Sequence, residues 1–492
     1  MPRTLLTLPR GTTSDATALR AGFAAVRAEL GVPVDFDAGA LADATAAAGA
    51  GAGVADAATP GAEPAGADAD RRDDRDIPYV TLDPTGSTDL DQAVHLSRRG
   101  AGYRVRYAIA DVAAVVSPGG ALDLATHRRG TTVYCPDTRV PLHPPVLSEG
   151  AASLLPGVDR RAITWTLDLD TDGVLVGVDV RRSVIRSRAQ LDYAGVQHDV
   201  DALARGDGDS FAALLARIGS LRARQERDRG GVSLGRPEQT VVAVGDGWTL
   251  AFRAPLAVED HNAQISLLTG MAAARLMIDG GIGILRTLPP AGAEALAHLR
   301  RQAGALGIAW PETLSYGDLL RGLDRSAPTS AAFLSAATSL FRGAAWTPFD
   351  GTAPVSAEHA AVGAPYAHVT APLRRLVDRF GLEVCVALHA GRPVPDWVRR
   401  ALPSLGEEMA VAARRAAAVD RACTDLVEAT VLGPRVGEVF DVVALGRETV
   451  QLTEPAVLAR YTGPDLAEGQ PARVRLVRAD VPSRQVLFGP TP

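Results

Sequence analysis

The stretch from Pro78 to Ala93 constrains this chain more than any other. Tyr79, Val80 and Leu82 alternate as a strand, Pro84-Thr85-Gly86-Ser87 makes a turn, and Asp89 and Asp91 follow, two apart on extended backbone and so pointing the same way. Asp83, at the strand end, is placed to join them. Three carboxylates brought together repel and raise one another's pKa unless a cation lies between them, and hard oxygen donors suit Mg²⁺ or Mn²⁺. Taken alone, Asp-x-Asp reads first as a solvated acidic loop, and a metal site comes second. Gln92, the next residue, offers a neutral carbonyl and an amide donor without adding charge.

Two further stretches narrow the choice. The run Tyr107–Ala113 reads as a buried strand, and Arg128–Pro136 then brings Tyr134 beside Cys135-Pro136, where an aromatic ring either packs half-buried or offers its face to a base. Pro365–Arg379 reads as a helix start, with Thr370 as cap and Pro372 in the first turn. There Arg374 and Arg375 would meet a phosphate with guanidinium and helix dipole together. An exposed helix laced by Arg374 and Asp378 at i,i+4 is the competing reading.

Taken in order along Asp74–Asp425, these motifs resemble the RNB catalytic domain of the ribonuclease II and ribonuclease R family. The resemblance implies an α+β or α/β fold, with a mixed sheet and surrounding helices. It also implies a metal-dependent hydrolytic exoribonuclease that degrades single-stranded RNA from its 3′ end to nucleoside 5′-monophosphates. On that reading Asp83, Asp89 and Asp91 bind Mg²⁺ or Mn²⁺. Tyr134 stacks on the terminal nucleotide, Arg374 lies near the scissile phosphate, and Arg375 assists. The family usually has a fourth aspartate where this chain has Gln92, and an aromatic residue where it has Leu376. Gln92 would then hold a water or part of a second metal's shell.

The apolar helix following Asn262-Ala263-Gln264 resembles one that carries an RNA-contacting acid, which is missing here. Asn262 or Gln264 could bond a ribose hydroxyl instead, or simply start a packed helix. In the late basic helix Asp420 stands where a glutamate is common, suggesting a role in tuning the site. A catalytically impaired RNB-type RNA-binding protein is the alternative that Gln92 and the missing acid allow. A metal-dependent phosphatase or a nuclease acting on DNA is a further one.

Organisation follows from composition. Asp15–Leu30 has helical spacing of Leu19, Phe23, Val26 and Leu30, so residues 1–38 form a short helical segment. Residues 39–70, rich in Ala and Gly, are expected to be a flexible linker. Residues 71–429 form the catalytic domain. In residues 430–492 five short alternating strands suit a small OB-type barrel, where Arg473 and Arg475 share one strand face as a strip for phosphates or as a solvated outer face. All 51 basic residues are arginine, and the net charge of −6 argues against nonspecific coating of duplex, leaving a local arginine-lined channel as the route for RNA. Three scattered cysteines, no bilayer-length apolar run and no leader pattern suggest a cytoplasmic, monomeric protein without membrane contact or organic cofactor.

Overall fold

The computed structural model describes residues 13–51, 70–203, 208–232, 238–245, 247–253, 255–324, 327–452 and 454–491. It opens with helix α1 (Thr13–Glu29), whose buried stripe of Leu19, Phe23 and Val26 is the one the spacing predicts. Helix α2 (Ala38–Gly51) follows, so the expectation of a flexible linker fails over residues 39–51. The remainder of that tract, residues 52–69, lies outside the described residues. Alanine is the best helix former, and Ala40 and Ala44, one turn apart and fully buried, join the apolar cluster that also holds Val116 and Leu122. Asp37 accepts a hydrogen bond from Ala40 N at 2.8 Å, as an N-capping carboxylate does.

Strands β1 (Arg72–Asp73), β2 (Val80–Asp83), β3 (Gln92–Arg99) and β4 (Gly102–Ala110) lead to helix α3 (Ala121–Arg129) and the small hairpin β5 (Val133–Tyr134) and β6 (Arg139–Val140). Strands β7 (Asp159–Leu169), β8 (Leu175–Arg186) and β9 (Ala189–Asp192) complete a seven-stranded sheet of order β1-β8-β7-β4-β3-β2-β9. It is mixed: β3, β4, β7 and β8 meander antiparallel, whereas β2 with β9 and β1 with β8 run parallel. Period-two alternation gives each face its own core. Tyr107 and Ile109 look into the main one, while Ala108 and Ala110 look toward α2 and α3.

The main face is covered by α4 (Tyr193–Asp201), α5 (Phe211–Asp228), then, after hairpin β10 (Glu238–Val244) and β11 (Gly247–Arg253), by α6 (Ala257–Asp279). Strand β12 (Ile282–Thr287) leads to helices α7 (Ala293–Ala305), α8 (Tyr316–Gly322) and α9 (Pro328–Ala337), which share a separate small core. Strand β13 (Ala345–Asp350) pairs with β12, and β14 (Glu358–His359) with β15 (Ala364–Pro365). Buried helix α10 (Leu376–His389) and the 37-residue α11 (Asp396–Leu432) follow.

The chain ends in a closed barrel of β16 (Val439–Gly446), β17 (Thr449–Leu452), β18 (Val457–Tyr461), β19 (Pro471–Asp480) and β20 (Gln485–Pro490). These five strands match the expected OB-type barrel nearly strand for strand. One apolar cluster joins α1, α11 and the barrel interior, and within it Phe23 meets Trp248 edge-on at 5.3 Å. Helix α1 is thereby a wedge between α11 and the barrel. Among the described residues no helix is long and apolar enough to cross a membrane.

Candidate active site

Backbone geometry brings distant parts of the chain to one place. Asp83 ends β2, Asp91 immediately precedes β3, and the Asp91 carbonyl accepts from Ala110 N at 2.9 Å, locking this loop to β4. The third motif comes alongside: Leu373 N donates to Asp91 Oδ1 at 2.7 Å, and Arg374 Nε lies 3.3 Å from Asp91 Oδ2. From the other side, the β5–β6 hairpin holds Tyr134, whose hydroxyl lies within the influence of the Arg374 guanidinium. The residue is 52% exposed, which leaves aromatic surface open beside buried acids.

The third motif is not the helix start its sequence suggests. Residues Ala371–Arg375 make a turn closed by Arg375 N donating to Ala371 O at 2.9 Å. Arg375 is then extended (φ −135°, ψ 124°), because it bridges Thr131 and lets Leu376 N reach Gly130 O, and α10 starts only at Leu376. Thr370 is therefore not the cap; its carbonyl serves Gln92 instead. Asp378 caps the turn by accepting from Ala371 N at 2.7 Å and grips Arg375 through two oxygens at 2.9 and 2.7 Å. The ion pair expected between Arg374 and Asp378 is thus made by Arg375, whose fork is used up inside the protein. Arg374 remains for a ligand.

Burial dominates the electrostatics. Loss of water pushes Asp91 up to about 7 against the pull of Arg374 and Leu373 N, and Asp83 up to about 6, again opposed by Arg374 while Asp89 adds repulsion. Asp83 Oδ2 is buried and accepts no hydrogen bond. Asp89 turns elsewhere: its Oδ1 takes Arg139 Nη1 at 2.7 Å, and Arg139 also reaches Glu149 at 2.7 Å. Among the described residues no group of three or more His, Cys, Asp or Glu side chains stands ready to hold a metal ion, so the expected three-carboxylate cluster is not assembled as such. Asp83 and Asp91 nonetheless fit a cation: one offers an open buried oxygen, and both are destabilised as anions by the site.

Gln92 has a different part from the expected one. Its Nε2 donates to Thr370 O, and its Oε1 accepts from Tyr107 OH at 3.1 Å, which in turn meets Ser266 Oγ at 2.9 Å. Both ends of the amide take part in tying β3 to the third motif and, through Tyr107, to α6. Asn262 lies in the second turn of α6 and donates to Tyr193 OH at 3.2 Å, whose hydroxyl feels the charges of Asp83 and Arg374. Gln264 points the other way, donating to Glu226 of α5 at 2.5 Å. Two positions along a helix turn a side chain by about 200°, which separates the pair.

Asp420 is exposed on α11. Arg473 and Arg475 are exposed on β19 of the barrel, Arg473 3.7 Å from Asp441 and Arg475 donating to Gly437 O at 3.2 Å. None of these three is tied to the carboxylates by a described contact. Sequence reasoning missed Arg139 and Glu149, which brace Asp89, and Tyr193 and Ser266, which extend the network. The pairing Tyr134↔Arg139 in the hairpin was the available signal for the first, since Cys135-Pro136-Asp137-Thr138 is a turn.

The model of the RNB domain matches residues 71–381, well over half the chain. The chain belongs to the RNB family. The RNase II-type exonuclease C-terminal S1 domain matches residues 438–491, which is the barrel. Ribonuclease R of Escherichia coli (strain K12) is 29% identical over 409 residues, covering 77% of this chain and 49% of that protein, so the chain spans about half the length of the curated relatives it matches. Mycoplasma genitalium RNase R in complex with ribose methylated single-stranded RNA superposes with a TM-score of 0.82 at 16% identity, over 96% of this chain and 78% of that one. Yeast Ssd1, a pseudonuclease, gives 0.66 at 16% identity, over 81% of this chain and 51% of that one. At such identities the solved structures speak for the fold alone.

Proposed function

We propose that this RNB protein is a divalent-metal-dependent hydrolytic exoribonuclease that shortens single-stranded RNA from its 3′ end and releases nucleoside 5′-monophosphates. One observation carries the reading: Asp83, with its open buried oxygen, the buried Asp91, Arg374 and the exposed ring of Tyr134 converge from three separate parts of the chain. A surface loop of acids would have no reason to be buried beside a half-exposed guanidinium and an open aromatic face.

Each residue has a physical task. Tyr134 receives the terminal base on its ring without reading its identity. Arg374, half-exposed and held by Asp91 near Tyr134, reaches out to the phosphate and neutralises charge that builds on it in the transition state. Asp83 and Asp91, with Asp89 if Arg139 releases it, would hold Mg²⁺ or Mn²⁺, which supplies electrophilic activation of the phosphate and of the attacking water. Arg375 with Asp378, and Gln92 with Thr370 and Tyr107, keep these groups aligned.

Specific observations favour a second reading, that of an RNA-binding protein without catalysis. Gln92 brings no charge, and Asp89 is committed to Arg139. Incubation of the purified protein with a single-stranded RNA oligonucleotide and Mg²⁺ or Mn²⁺, followed by chromatography of the products, separates the two. Accumulating nucleoside 5′-monophosphates support the nuclease; binding without any release supports the alternative. Equal turnover of the matching DNA strand would instead indicate a nuclease or phosphatase indifferent to the 2′-hydroxyl.

A further inference from the structure

The residue after the site tyrosine is a thiol with a partner. Cys135, half-buried at the end of β5, packs against the apolar cluster joining α1, α11 and the barrel, in which Cys423 of α11 is buried as its neighbour. Arg27 of α1 comes to the same spot, pairing with Asp137 at 2.6 and 3.1 Å while its guanidinium also hydrogen-bonds Cys135. The contact to Cys423 and the cation beside it hold the Cys135 thiol below the ordinary range, which raises its thiolate fraction. Cys423 is held above its ordinary range and stays the protonated partner. The third cysteine, Cys385, is fully buried within α10 and belongs to the main core. The chain therefore holds one half-buried thiol beside a second, buried thiol of the same cluster, and a third thiol in another core as an internal control.

We propose that Cys135 and Cys423 form a reversible oxidation site for hydroperoxides, closing to a disulfide that fastens the strand carrying Tyr134 to helix α11. The Cys135 sulfur attacks a peroxide oxygen, the O–O bond breaks, and the departing hydroxide takes the thiol's proton to leave as water, giving a sulfenic acid. Cys423 sulfur then attacks that sulfur, the S–O bond breaks, and the hydroxyl leaves as a second water with the Cys423 proton. Two thiols lose two electrons and one hydrogen peroxide becomes two waters. The thiol pair stands independently of what the site does to RNA; only its effect on turnover rests on the nuclease reading.

The full chain is treated with hydrogen peroxide, and free thiols are counted under denaturing conditions before and after dithiothreitol. Two of the three thiols should disappear and return on reduction, and a non-reducing tryptic digest should join Gly130–Arg139 to Ala422–Arg435. Cys135→Ser should keep both of its remaining thiols. Cys423→Ser should stop at a single sulfenic acid on Cys135 that dimedone traps. Retention of three thiols by the wild type, a loss that dithiothreitol does not restore, or a linkage that includes Cys385 would overturn the proposal. Mononucleotide release is measured on the same samples: a protein that forms the disulfide yet never cleaves RNA refutes the nuclease reading and leaves the oxidation site standing.

Discussion

Replacing Asp91 by Asn should stabilise the folded protein at high pH while abolishing turnover. Asp91 is 3% exposed, and burial lifts its carboxyl from the ordinary aspartate value to about 7 despite Arg374. A group raised in the folded state contributes stability while it stays protonated and loses it as pH climbs to the folded value. In the unfolded chain the same carboxyl is already ionised at pH 5. Between pH 5 and about pH 7 the wild type therefore loses about 1.4 kcal/mol per pH step, close to 3 kcal/mol in total, that Asn, always neutral, does not lose. The amide oxygen still accepts from Leu373 N, so the local turn is preserved. Urea denaturation of both proteins at pH 5 and pH 8, with chelator present, reads the difference directly, and every other titrating group cancels. The Asp91→Asn variant should gain about 3 kcal/mol on the wild type across that interval. Stability profiles that run parallel would refute the claim that Asp91 sits ionised at a cost. Adding Mg²⁺ should shrink the gap, because a cation relieves the wild-type carboxylate and has less to bind in the variant.

Tyr134→Ala, at an exposed ring, should leave the melting temperature unchanged but weaken RNA binding by about 1 to 3 kcal/mol in fluorescence anisotropy. Gln92→Asp would remove the donor to Thr370 O and place a carboxylate against that carbonyl, so about 1 to 3 kcal/mol of stability should be lost and mononucleotide release should fall, not rise. Glu428, 4% exposed and pushed by burial up to about 7, accepts from Gln239 and Leu458 N on one oxygen that Gln would keep. Its protonated form stabilises the fold, and that contribution fades as pH rises toward 7, so Glu428→Gln should be up to about 3 kcal/mol more stable than wild type at pH 8 and nearly equal to it at pH 4 in urea titrations.

Much of this was legible because it depended on local periodicity. The barrel strands announce themselves by alternation and turn residues, and the stripe Leu19, Phe23, Val26 fixes the buried face of α1. Asp83, Asp91, Arg374 and Tyr134 were selected as residues, although their convergence is a tertiary fact. The misreadings came from long-range partners. Ala40 and Ala44 look like linker until they are seen buried in one cluster with distant residues such as Val116 and Leu122. Thr370 looks like a cap until Thr131 draws Arg375 into a bridge. Gln92 gives no local sign that Thr370 O and Tyr107 lie at the two ends of its amide. Arg139 escaped notice because nothing in its neighbourhood says that its carboxylate partner lies 50 residues back.

The most direct test uses 5′-labelled single-stranded RNA with Mg²⁺, resolved over time on a sequencing gel for the wild type and Asp91→Asn. The site described here predicts a ladder that shortens from the 3′ end with the wild type, and intact RNA, still bound, with the variant. Identical patterns from the two proteins, whether both cut or both inert, would contradict it.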